Sequence, residues 1–108
     1  VSIDAMREAV CAADCPVRKT ASIIEGKWTT LIFRELLGGR RRYSELQRNL
    51  DGISPKVLAA RLRFLAERGL IERSVYDTIP PTTEYALTDK GRKFEQVIRA
   101  MASFGELL

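Results

Sequence analysis

Of the side chains able to do chemistry, this sequence offers 18 Lys and Arg, 14 Asp and Glu, two Cys and no His. It has no glycine-rich phosphate loop and no Cys or carboxylate cluster at metal-ligand spacing, so the usual acid–base, nucleophilic and metal-centred constellations are missing. An enzyme is therefore not expected, and neither is a metal or cofactor. What remains is charge, and it is concentrated. From Arg40 to Arg73, nine bases (Arg40, Arg41, Arg42, Arg48, Lys56, Arg61, Arg63, Arg68, Arg73) stand against four acids (Glu45, Asp51, Glu67, Glu72). The rest of the chain holds nine bases and ten acids, so the net charge of +4 belongs to the middle third. A localised positive field suits a polyanion, although an ordinary solvated face gives the same count.

Two thiols, Cys11 and Cys15, are too few for a disulfide framework, which fits a reducing compartment. Cys15 stands before Pro16 at the start of a helix, with Arg18 and Lys19 nearby, a setting that favours the thiolate. The competing reading is a buried, inert residue that packs as a small hydrophobe. A break at Asp14-Cys15-Pro16 gives poor geometry for a bridge within one chain, so an oxidised form would join two subunits.

The elements that must position these groups can be read in turn. At 108 residues the chain is one domain, 1–108, with no apolar run long enough to span a bilayer and no leader-like start, so a cytoplasmic location is expected. Helices are predicted over Ser2–Ala13, with Ile3, Met6 and Val10 on one stripe, from Pro16 with Val17, Ala21 and Ile24, and from Lys27 to Leu37. Gly38-Gly39 stops the third. A short helix over Tyr43–Asn49 would open beside Arg40, Arg41 and Arg42 and offer a phosphate its free N–H groups. Ser54 as N-cap, Pro55 at the first position and Gly69 past the end mark the next helix, whose Leu58, Leu62 and Leu65 face inward. Lys56, Ala60 and Arg63 point roughly opposite, with Val57 and Arg61 on the flank. Ile71–Tyr76 and Thr83–Leu87 form a hairpin through Pro80-Pro81. Thr88 then caps one long helix, 89–108, with Phe94, Val97, Ile98, Met101 and Phe104 on an apolar stripe and no role assigned to Gly91. Helix, short turn and longer basic helix make a helix-turn-helix, and the hairpin makes it winged. An αα-hairpin that merely packs is the plainer alternative.

Cys15-Pro16-Val17, Gly26-Lys27-Trp28, Arg34-Glu35-Leu36, Arg42-Tyr43-Ser44-Glu45-Leu46, Gly52-Ile53-Ser54-Pro55-Lys56-Val57-Leu58, Gly69-Leu70-Ile71, Pro80-Pro81 and Leu87-Thr88 occur in this order. Together they resemble the HxlR family of bacterial winged-helix regulators, a branch near MarR. The resemblance implies a mainly α fold with a β-hairpin wing and a homodimer held by its terminal helices, 1–14 and 89–108. It also implies a roughly palindromic operator. Double-stranded DNA would then meet Arg40, Arg41, Arg42, Tyr43, Ser44, Ser54, Pro55, Lys56, Val57, Ala60, Arg61 and Arg73. The dimer would use Ile3, Met6, Val10, Phe94, Val97, Ile98, Met101 and Phe104. Some members sense oxidants or electrophiles through the cysteine matching Cys15. Two positions depart from the family pattern: Thr82 replaces a basic residue after the wing prolines, and Phe64, expected to pack under the wing, replaces a charged one. A winged helix that contacts proteins, or binds nucleic acid without sequence preference, is the alternative function.

Overall fold

The computed structural model describes residues 15–108 and Asp4. The helix expected over the first fourteen positions, with Ile3, Met6, Val10 and Cys11, lies outside the described residues. The first described helix, α1, is Pro16–Ile23, with Pro16 in the first turn and Cys15 as N-cap. Its expected stripe is not its inner face. Val17 is 58% exposed and Ala21 is exposed as well, whereas Ile23 packs against the core. The helix is thus covered at its two ends, through the buried N-cap Cys15 and the partly buried Ile23, and exposed between them.

Helix α2, Trp28–Leu37, buries Thr29, Ile32, Phe33 and Leu36, the i, i+3, i+4, i+7 set that a helix presents to one side. Gly38-Gly39 ends it, with Gly39 at φ +128°. Arg41–Arg42 then forms a two-residue strand, β1, that the sequence did not announce. Helix α3, Tyr43–Asn49, and helix α4, Pro55–Glu67, follow as expected, joined by a turn in which Gly52 takes φ +89°. The α4 start is capped by Ser54, whose hydroxyl accepts from the Val57 N–H at 3.1 Å. Gly69 past its end has φ +73°, the left-handed stop that glycine adopts readily. Leu58, Leu62 and Leu65 are essentially inaccessible. Each contributes about 1.5–3 kcal/mol by leaving water, and together they lock α4 onto Phe33, Leu36 and Leu46.

Strands β2 (Ile71–Tyr76) and β3 (Thr82–Leu87) pair antiparallel, from Ile71 opposite Leu87 to Tyr76 opposite Thr82. Strand β1 adds to the other edge of β3, Arg41 opposite Tyr85 and Arg42 opposite Glu84, giving the order β1-β3-β2. The expected single C-terminal helix is instead two, α5 (Asp89–Arg92) and α6 (Glu95–Gly105). Between them Lys93 and Phe94 donate to Lys90 and Gly91 in three-residue turns. This break brings the Phe94 ring to 4.3 Å from Phe33, so Phe94 serves the core of its own chain. Ile98 packs behind it and Val97 is half-buried, while Met101 and Phe104 are exposed. Gly91 has a definite role. It is buried where the chain crosses Leu70, and a Cβ there would fall on the Leu70 carbonyl oxygen.

Candidate nucleic-acid interface

Helix α3, the Gly52 turn and α4 are held as one unit by side chains that bond to backbone. The Gln47 amide donates to the Ile53 carbonyl, and the Tyr43 hydroxyl donates to the Pro55 carbonyl at 3.1 Å. Asn49 ties the unit to α2 through the Glu35 carboxylate at 3.0 Å. These bonds fix the angle at which α4 leaves the body. Tyr43, named from the sequence as a contact residue, thus has its hydroxyl engaged within the motif.

The N-terminal half of α4 presents Pro55, Lys56, Val57 and Ala60 to solvent, followed by Arg63. No carboxylate pairs with Lys56, Arg61 or Arg63 among the described residues. An exposed helix with small residues and unneutralised cations can enter a major groove. Arg61 is partly buried, with its guanidinium 5.5 Å from the Phe64 ring centre; Arg68 lies 4.9 Å from the same ring. Phe64 is therefore a post between two cations, half-buried on the core. It is not among the residues that line the cleft between α4 and the wing. The cleft between α4 and the wing is lined by Ala59, Leu62, Arg63 and Ala66 on one side and Arg73, Thr83 and Tyr85 on the other.

The arginine run behaves differently from the expectation. At the start of α3 the Glu45 carboxylate accepts the Arg42 N–H at 2.8 Å, occupying the place imagined for a phosphate. Glu84 on β3 lies 3.8 Å from the Arg40 guanidinium and 3.9 Å from that of Arg42. Arg40 also reaches Ser74 at 3.4 Å. Arg41 bonds the Arg40 carbonyl at 3.2 Å and has no acid partner among the described residues. Glu84 is the residue that reading the sequence missed. Forty-two positions separate it from Arg42, and only the β1–β3 pairing brings them together. Ser44 lies beside the wing tip with Arg42, Pro80 and Pro81 around a shallow pocket, and Arg73 is exposed on β2. Cys15 is 3% exposed, so its thiol is buried at the entry to α1.

A family model, HxlR-like helix-turn-helix, matches residues 23–108, which contain every element of this interface. The chain belongs to the HxlR-like helix-turn-helix family. Its relatives include the uncharacterized HTH-type transcriptional regulator sll1512 of Synechocystis sp. (strain PCC 6803), 43% identical over 91 residues, or 84% of this chain and 67% of that protein. Among solved structures, a transcriptional regulator described as MarR family, from Porphyromonas gingivalis W83, is 44% identical with a TM-score of 0.83, covering 87% of this chain and 92% of the other. The redox regulator HypR in its oxidized form is 36% identical with a TM-score of 0.80, covering 87% of this chain and 97% of that one. This HxlR-like chain is accordingly a winged helix-turn-helix protein of the transcriptional-regulator class, not an enzyme. No helix among its described residues is long and apolar enough to cross a membrane.

Proposed function

We propose that this HxlR-like protein is a cytoplasmic homodimer that binds double-stranded DNA sequence-specifically at a roughly palindromic operator and regulates transcription there. The observation that carries this reading is the exposed N-terminal face of α4, with Lys56, Val57 and Ala60 on a helix whose exit angle is fixed by Tyr43 and Gln47. Lys56 and Arg61 contact bases or nearby phosphates. Ser44, Ser54, Pro55 and Arg73, all exposed, follow the backbone, as does Arg41, the member of the arginine run with no acid beside it among the described residues. In the dimer, Val97, Met101 and Phe104 of α6 meet the partner. Two α4 helices then lie about one DNA turn, ~34 Å, apart.

Selection from random duplexes tests this reading. The enriched sequence should show two-fold symmetry and bind roughly a thousandfold or more tighter than a scrambled duplex at the same salt. Equal affinity for both, abolished by salt, would mean a sequence-tolerant module instead.

A redox or electrophile response through Cys15 is favoured by the likeness to the redox regulator HypR. Burial of the Cys15 thiol means that an oxidant reaches it only when the entry to α1 opens. Diamide should weaken operator binding in the wild type and leave Cys15→Ser unaffected. The same loss in both proteins would remove Cys15 from the response.

A further inference from the structure

On the opposite end of α4 from its N-terminal face lies a cleft of about 450 Å³ that DNA binding does not use. Its apolar wall is made by Ile23 of α1, Leu70 at the start of the sheet and Phe94 before α6, residues that belong to the core or pack on it. Three cations from separate elements line it: Lys19 of α1, Arg68 at the C-cap of α4 and Lys90 of α5. Among the described residues no acid lines it and none of the three cations has a carboxylate partner. Arg68 is steadied instead by the face of Phe64. The hydroxyls at the rim are already committed, Thr20 to the Pro16 carbonyl and Ser22 to the Lys19 carbonyl. Recognition here therefore rests on charge over an apolar wall, and a neutral polar molecule would find little to bond.

We propose that this cleft binds a small organic anion with an apolar body, such as an aryl or medium-chain carboxylate. The carboxylate sits among Lys19, Arg68 and Lys90, and the body lies against Ile23, Leu70 and Phe94. Concave sites with a mainly apolar lining and a few convergent polar groups are the usual form of small-molecule sites. Because Arg68 ends α4 and Lys19 belongs to α1, the occupant bridges the helix that carries the proposed DNA face and the helix that leads to Cys15.

The test uses the full chain without DNA, so its outcome is independent of the operator reading. Titration of 2-naphthoate, followed by its own fluorescence, should show saturable binding of one molecule per chain. The neutral isostere 2-naphthamide should bind at least tenfold more weakly. Lys19→Glu/Lys90→Glu, checked for an unchanged far-ultraviolet spectrum and melting temperature, should weaken naphthoate at least tenfold, whereas Arg99→Glu on the outer face of α6 should not. If the double variant melts early, Lys19→Gln/Lys90→Gln replaces it, with at least a threefold loss expected. Absence of saturation, equal binding of acid and amide, displacement of naphthoate by equimolar inorganic phosphate, or unaltered binding by the folded variants would each overturn the proposal.

Discussion

Gly91→Ala should be among the most damaging single-methyl additions to this protein. On helix propensity alone the change favours folding by up to about 1 kcal/mol, since alanine is the better helix former. The structure reverses that sign. A Cβ at Gly91 would fall on the Leu70 carbonyl oxygen and come within 3.3 Å of the Leu87 side chain. The Leu70 carbonyl cannot simply move aside, because it accepts the Thr88 N–H at 3.1 Å and so fastens the end of β3 to the end of α4. Relief costs roughly 1–3 kcal/mol of overpacking strain plus about 1 kcal/mol for a weakened hydrogen bond, which after the propensity gain leaves a net loss of about 1–4 kcal/mol. For a domain of this size that is a fall in melting temperature of roughly 5–25 °C. Urea and thermal unfolding at matched protein concentration measure it, matched because association raises apparent stability. Gly105→Ala is the control, having open space where its Cβ would go, and should be neutral or stabilising by up to about 1 kcal/mol. A Gly91→Ala protein within about 0.5 kcal/mol of wild type would refute the packing argument.

Glu84→Gln should raise affinity for arbitrary duplex DNA about threefold or more at low salt and steepen the salt dependence, because Arg40 and Arg42 lose the carboxylate they share. Its effect on folding should stay below about 1 kcal/mol, since both arginines are largely exposed; unchanged DNA affinity would show that neither arginine reaches the duplex. Ser54→Ala should cost about 0.5–2 kcal/mol in urea unfolding by removing the cap on Val57, and a null result would mean that water replaces the hydroxyl fully. Sedimentation at micromolar concentration should find a particle near twice 12.2 kDa, and Phe104→Glu should shift it toward the monomer. A wild-type monomer would remove the dimer from the account.

How much of this was legible beforehand depended on how local the deciding contact is. The ends of α4 are written in neighbouring residues, Ser54-Pro55 and Gly69, whose capping chemistry needs nothing from the rest of the chain. The inward face of α4 follows from leucine spacing alone, and the winged topology follows from element order. Strand β1 could not be read, because two arginines carry no strand signal and exist as a strand only through β3. The break at Lys93-Phe94 was hidden for a related reason: Thr88 caps the stretch before it, and Phe94, Val97, Ile98, Met101 and Phe104 keep helical period after it, so no local signal separates the two. Contact with Phe33 from a distant helix decides against that pattern. In the candidate site, the exposed side chains of α4 were foreseen, whereas the balance of the arginine run was not. It is set by Glu45 and Glu84, and the Glu84 pairing is visible only in three dimensions.

In the proposed complex α4 reads DNA bases while Arg41 holds the backbone. Comparing the base-preference profiles of wild type, Lys56→Ala, Arg61→Ala and Arg41→Ala over every single substitution of the selected operator tests it most directly. The account predicts that Lys56→Ala or Arg61→Ala flattens the preference at one position in each half-site, at a cost of about 1–3 kcal/mol. Arg41→Ala should weaken all sequences alike and lower the salt slope by about one per subunit. Flattening by Arg41→Ala, with profiles of both α4 variants identical to wild type, would contradict it.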